Sequence, residues 1–271
     1  MKDFLAILAQ AIRDLIQNGY VSQDRMAEWV LKIALAADKA LPTQLSLEKQ
    51  LTKALQAVYR RSVGPAALKH HPGVSRFTLS IIEPSLRPEL DRRILAAAEL
   101  IKINRKQAIE KTLQRFSGWA TSIPAGGSKV VDIAEVKENI KKSLVQTNYE
   151  VRRLNIDQGH KLISAINNQI ANQSGAIAMK WRSHWRQAGY DYREDHKERD
   201  GKFYAIRGSW AMQQGLINKG EGYTDEMSTP GEEVFCRCFA VYFTSPSELP
   251  PEMVTEKGRK WLEQKHTSSP L

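Results

Sequence analysis

The chain has 271 residues, of which 42% are hydrophobic and 26% charged, with 11 Pro and 16 Gly. This balance fits a folded protein and excludes collagen-like, low-complexity and wholly disordered chains. Its net charge of +10 is concentrated, because residues 49–115 carry 14 basic against 5 acidic groups while residues 180–271 carry 14 of each.

The first two thirds read as helices. Phe4, Leu5, Leu8, Ile12, Leu15 and Ile16 recur at helical spacing, with Gly19 as the stop. This N-terminal apolar stretch is followed at once by Gln10, Arg13 and Asp14, so it lacks the apolar core of a signal peptide. No apolar run approaches the roughly 20 residues that span a bilayer, and neither secretion nor a membrane span is expected. Ser22 caps a second predicted helix carrying Met26, Trp29, Val30 and Ile33, which ends by Pro42. A third holds Leu47, Leu51, Leu55 and Val58 and finishes in Tyr59-Arg60-Arg61.

Gly64-Pro65 and His70-His71-Pro72-Gly73 then predict an irregular stretch over 62–87. Pro88 opens a long helix through Leu90, Ile94, Ile101, Ile109 and Leu113 to Gly118. Asp132 with Glu135 three residues on resembles a capping box, and the helix after it runs on past Leu162, Ile166 and Ile170. Near residue 180 the pattern changes. Val234–Phe243 is the best strand, Lys202–Ile206 a weaker one, and the polar tail after Pro250 reads as peripheral. The expected fold class is therefore α+β: a mainly helical N-terminal two thirds and a small α+β C-terminal module. The expected regions are an N-terminal helical region (1–61), a basic long-helix region (62–179), the module (180–248) and the tail (249–271).

The central positive charge suits a phosphate backbone or another acidic surface; the competing account is a solvated helical face rich in Lys and Arg. Tyr59, Phe77 and Phe116 are isolated, so no stacking platform accompanies the charge. Contact through Arg60, Arg61, Arg92, Arg93, Lys102, Arg105 and Lys106 would thus be indifferent to base sequence.

The module holds the chemistry: Arg193-x-x-His196-x-x-x-Asp200-Gly201, then Pro230-Gly231, then Cys236-Arg237-Cys238. Two cysteines one residue apart would close a tiny, strained ring, which excludes a disulfide framework and suits a reducing compartment. On a strand both thiols would face one way. With His196 they supply three zinc ligands, and Asp200 or Asp195 a fourth. Paired Cys-x-x-Cys knuckles are missing, however, and the opposing account is two small buried side chains plus a histidine that holds a loop. An enzyme, a nuclease or toxin-like effector using His196, Asp200, Cys236 and Cys238, is a further alternative, although no Gly-x-Ser-x-Gly, His-Glu-x-x-His or P-loop accompanies these residues. Arg237 interrupts an apolar run and calls for a carboxylate partner among Asp200, Glu194 and Glu233. A structural clasp of Arg193, His196, Asp200, Gly201, Cys236, Arg237 and Cys238 accommodates all of these residues.

In these three fragments, with Trp181 about twelve residues before Arg193, the chain resembles the minor head proteins of the phage Mu F type, also described as the phage head morphogenesis domain. The resemblance spans roughly residues 150–245. Members often carry Arg followed by Thr-Glu on the preceding helix; the nearest equivalent here runs from Arg152-Arg153 to Asp157-Gln158. The resemblance implies a minor structural protein of the virion, assembled in the bacterial host cytoplasm. Its expected partners are portal and capsid proteins and packaged DNA, its role lies in head assembly, DNA packaging or DNA delivery, and it would be oligomeric in the head. No cofactor follows from the resemblance; zinc enters only through the donor set above.

Overall fold

The computed structural model describes residues 1–20, 22–64 and 76–267. The protein is mainly helical with one small antiparallel sheet towards the C-terminus. The longer helices are α1 (Lys2–Asn18), α2 (Gln23–Ala40), α3 (Gln44–Val63), α4 (Arg76–Ala120) and α5 (Ile133–Gln173). Then come β1 (Ala178–Arg182), α6 (Glu194–Glu198), β2 (Phe203–Ala205), α7 (Trp210–Gln213), β3 (Phe239–Phe243) and α8 (Glu256–Thr267). No helix among the described residues is long and apolar enough to cross a membrane.

The chain forms two compact units, one from Met1–Lys53 with Ile94–Asn155, the other from Ala54–Arg93 with Ile156–Leu271. In the first, Phe4, Leu8, Ile12 and Leu15 of α1 meet Ile33 and Ala37 of α2, Phe116 of α4, and Ile140 and Leu144 of α5. The turn between α1 and α2 is held by polar contacts. Ser22 accepts from the Arg25 N–H as an N-cap, and Asp14 accepts from Arg25 Nε at 2.8 Å, Trp29 Nε1 at 2.6 Å and Asn18 Nδ2 at 2.8 Å. Gly127, at φ 91°, lets the 124–128 loop close over the end of α1, where any Cβ would lie 2.0 Å from the Ile16 carbonyl oxygen.

The second unit holds the sheet, in the order β2-β1-β3 with both pairs antiparallel. Alternation along the strands makes two faces. Ala178, Phe203, Ala205 and Phe243 belong to a core with Leu216, Ile217, Leu249, Met253 and Val254. Met179, Trp181, Tyr204, Ala240 and Tyr242 face the other way, towards Cys236 and Cys238.

Several elements differ from the sequence reading. Pro88 does not open α4, which begins at Arg76 and carries Pro84 and Pro88 inside it; residues 76–87 are therefore helical, while 65–75, with the two histidines at 70 and 71, lie outside the described residues. Leu79, Ile82, Leu86 and Leu90 are buried at helical spacing, and that burial holds the helix through two prolines. Side chains take up carbonyls in this stretch: Tyr59 donates to Glu83 O at 3.2 Å and Ser85 to Ile82 O at 2.7 Å. The expected strand from Val234 shortens to Phe239–Phe243, and β1 emerges where only fading helical periodicity was visible. The tail is a helix, α8, begun by Thr255, whose hydroxyl accepts from Gly258 N at 3.0 Å, and closed onto the core by Trp261 and Leu262.

For Asp14, burial pushes the carboxyl up, but hydrogen bonds from Arg25, Trp29 and Asn18 outweigh it and leave the group below its ordinary 3.8. Its contribution is therefore full above that ordinary value and is lost as pH falls through the lower folded one. Asp14→Asn should cost about 1–2 kcal/mol in urea unfolding at neutral pH. The gap should narrow as pH falls below 3.8; a gap of equal size at neutral and at acid pH contradicts the assignment.

Candidate functional site

Three chain segments meet on the Trp181 face of the sheet. The first is α6, which carries His196 inward at the end of a loop from Tyr190. Asp200 and Gly201 turn the chain out of α6, with Gly201 at φ 85° and its N–H donating to Trp181 O at 2.9 Å. The second is the 228–238 loop that carries both cysteines. The third is α5, which supplies Asp157, Ser164 and Asn168.

The cysteines do not stand on a strand, yet both reach the cluster. Residues 236, 238, 240 and 242 keep the inward parity of β3 and belong with Trp181. Phe235, at φ 58°, redirects the chain just before Cys236. Its N–H donates to Asp157 Oδ1 at 2.6 Å, while Asp157 Oδ2 pairs with Lys161 at 3.0 Å; the Asp157 side chain is only 4% exposed. This buried carboxylate is what α5 offers the loop. Ser164 donates to Pro230 O, and Gly231, at φ 86°, passes so close that a Cβ would lie 3.0 Å from Ser164 Cβ. Tyr242 donates to Asn168 Oδ1 at 3.2 Å.

At the centre, His196 Nδ1 lies 3.5 Å from Cys236 Sγ and 3.5 Å from Cys238 Sγ. All three residues are buried. His196 Nε2 lies 3.3 Å from Glu233 Oε1. Glu233 is held below the ordinary carboxylate value first by the Ser228 hydroxyl, then, against burial, by His196 and Arg193. A carboxylate can only accept, so Nε2 carries a proton, and Nδ1 faces the two sulfurs. Cys236 is lowered, chiefly because the Cys238 thiol donates to it, with burial opposing and the N–H groups of Cys238 and Gly231 assisting. Cys238 is raised, because its neighbour takes the negative charge first. The pair therefore shares one proton more readily than it holds two.

Arg193 joins this cluster through Glu233, at 3.2 Å, and through Val234 O, at 3.0 Å. Arg237 takes a different place from the carboxylate partnership anticipated for it. It is half-buried and stacks over the Tyr190 ring at 5.4 Å, and its N–H donates to the Tyr190 hydroxyl at 3.0 Å. No ion pair to Asp200, Glu194 or Glu233 forms among the described residues, because the aromatic face meets the guanidinium instead. Asp200 is spent on its own turn: Oδ1 accepts from Ser183 N at 2.9 Å and Oδ2 from Trp185 Nε1 at 3.0 Å. Asp195 Oδ2 lies 3.8 Å from Nε2, on the side of the ring away from the thiols. Neither acid joins the His196-Cys236-Cys238 group, the one such cluster of potential metal ligands among the described residues.

The basic residues are divided. Arg60, Arg61, Arg92 and Arg93 fall in the second unit, Lys102, Arg105 and Lys106 in the first. Arg92 and Arg93 share Glu89, at 2.8 and 2.6 Å. Arg105 is bound to Asp38 and donates to the Asp38 and Pro42 carbonyls. Lys102 and Lys106 pair with Glu99 and Glu110 along the exposed helix, contacts worth little in water. Arg60 and Arg61 are exposed on the last turn of α3.

Sequence reasoning missed Asp157 and Glu233 as organising groups. Asp157 lies within a helix amid Asn155, Gln158 and Lys161, where nothing local marks it as buried. Glu233 was weighed only as a partner for Arg237; its spacing of 37 residues from His196 carries no pattern.

Removing the Asp157 carboxylate strands Lys161 and the Phe235 N–H together. Asp157→Ala should cost about 3 kcal/mol or more in denaturant unfolding followed by tryptophan fluorescence. Asp157→Asn, which keeps an acceptor for Phe235, should cost less; equal losses would show that the Phe235 contact contributes nothing. No protein-family model, curated protein or solved structure matches the chain, so the reading of this site rests on its own geometry.

Proposed function

We propose that the protein is a minor structural component of a phage head, associated with the portal and acting in head assembly, DNA packaging or DNA delivery. What carries the reading is the convergence of the residues behind the resemblance: Arg193, His196, Cys236 and Cys238, far apart in sequence, make direct contacts or share Glu233. Asp200 and Gly201 shape the turn beside them. These groups are spent on one another, as suits a docking module held rigid rather than an open catalytic centre. A nuclease would need His196 or a thiol at the surface, and all three side chains are buried.

The second part of the proposal is electrostatic contact with packaged DNA or an acidic neighbour. Arg60 and Arg61 suit it best, since both are exposed at the C-terminal end of α3. Arg92 and Arg93 border a polar cavity of about 510 Å³, shared with Lys161 and with Thr229 and Glu232 of the loop.

Two experiments test the reading. A portal gene next to the gene for this chain, and recovery of the chain in low copy from purified mature heads, are the expected results; a gene lying apart from head genes, with the chain missing from heads, overturns it. For DNA, full-length protein titrated against a fluorescent duplex should lose affinity steeply with salt, with about one unit of log–log slope for each phosphate neutralised. Arg60→Glu with Arg61→Glu should flatten that slope by about two. An affinity that does not move with salt removes the electrostatic part. Plasmid incubated with the protein and magnesium or zinc should stay intact; cleavage lost in His196→Ala would establish the enzyme instead.

A further inference from the structure

We propose that His196 Nδ1, Cys236 Sγ and Cys238 Sγ supply three ligands to a bound zinc ion. This inference stands apart from the functional reading above and needs neither DNA nor a portal.

The two sulfur–nitrogen distances are those of a coordination shell. Zinc bonds of about 2.3 Å to sulfur and 2.0 Å to nitrogen, set at the tetrahedral angle, put sulfur and nitrogen about 3.5 Å apart. Both sulfurs lie at 3.5 Å from the same nitrogen, and the three donor atoms all fall within 4.8 Å of one another. A catalytic Cys–His dyad asks for one sulfur on the imidazole and a path to solvent. Here two sulfurs lie at the same distance from one ring nitrogen, and Cys236 is 1% exposed, Cys238 4% and His196 2%.

The surroundings suit a bound cation. Glu233 receives the far N–H of the imidazole, the carboxylate–histidine arrangement that fixes the ring and leaves Nδ1 free to ligate. Glu233 is itself held by Ser228 at 2.7 Å and Arg193 at 3.2 Å. The indole N–H of Trp181, fully buried, has no hydrogen-bond partner among the described residues. Two thiolates neutralise a dication, so the filled site carries no net charge among Met179, Trp181, Tyr204 and Tyr242. Two sulfurs and one imidazole form a soft to borderline donor set, which selects zinc over magnesium or calcium.

The test uses the full-length protein, purified without chelator under reducing conditions. Elemental analysis should find about one zinc per chain. After metal removal, cobalt(II) titration should produce a thiolate-to-cobalt charge-transfer band saturating at one equivalent. The chain has only 2 cysteines, so the band's intensity counts the ligands directly. Cys238→Ser should halve it, and the wild-type titration stands by itself should that variant fail to fold. Less than about a tenth of an equivalent of zinc, together with no charge-transfer band on cobalt titration of the wild type, overturns the site. A band whose intensity Cys238→Ser leaves unchanged does so too.

Discussion

The Trp181 face of the sheet turns on the burial of one imidazole against two sulfurs. A histidine inside a protein must place both ring nitrogens, and each one fixes a different part of the chain. Nε2 takes Glu233, which gathers Ser228 and Arg193; Nδ1 takes the two sulfurs. The α6 segment and the cysteine loop, which share no strand pairing, are thereby joined through side chains alone. An unpaired nitrogen or a stranded carboxylate in this position would cost a few kcal/mol.

Helix α5 is the fixed wall behind that cluster. Asp157, Ser164 and Asn168, spaced along it, reach Phe235, Pro230 and Tyr242 in turn. The loop is thus registered against the helix at one end and against β3 at the other. The left-handed backbone at Phe235 persists because a buried carboxylate holds its N–H. Gly231 is favoured for a related reason, since it sits at φ 86° and a Cβ there would crowd Ser164 at 3.0 Å.

The helical pattern was largely legible in the sequence, since burial on one side of a helix leaves a 3.6-residue trace that Phe4, Leu8, Ile12 and Leu15 display. Proline misled the reading of α4, because local propensity cannot register the buried stripe of Leu79, Ile82, Leu86 and Leu90 that overrides it. β1 is five residues long and carries Lys180 between Met179 and Trp181, too short a run to declare its period. The nearness of His196 to the cysteines was legible as a set of residue types that want the same neighbours. Its supports were not. Asp157, Glu233 and the Tyr190–Arg237 stack join residues separated by 37 to 78 positions, and only the fold creates their environment.

The central claim is that side-chain contacts alone lock the cysteine loop onto α6 and α5. Native-state amide hydrogen exchange measures this directly at Phe235 and Arg237, whose N–H groups donate to Asp157 and to the Tyr190 hydroxyl rather than to any strand partner. The account predicts that both exchange only when the whole unit unfolds, with protection matching that of the β1 amides. Exchange at the rate of an open loop, while β1 stays protected, would contradict it.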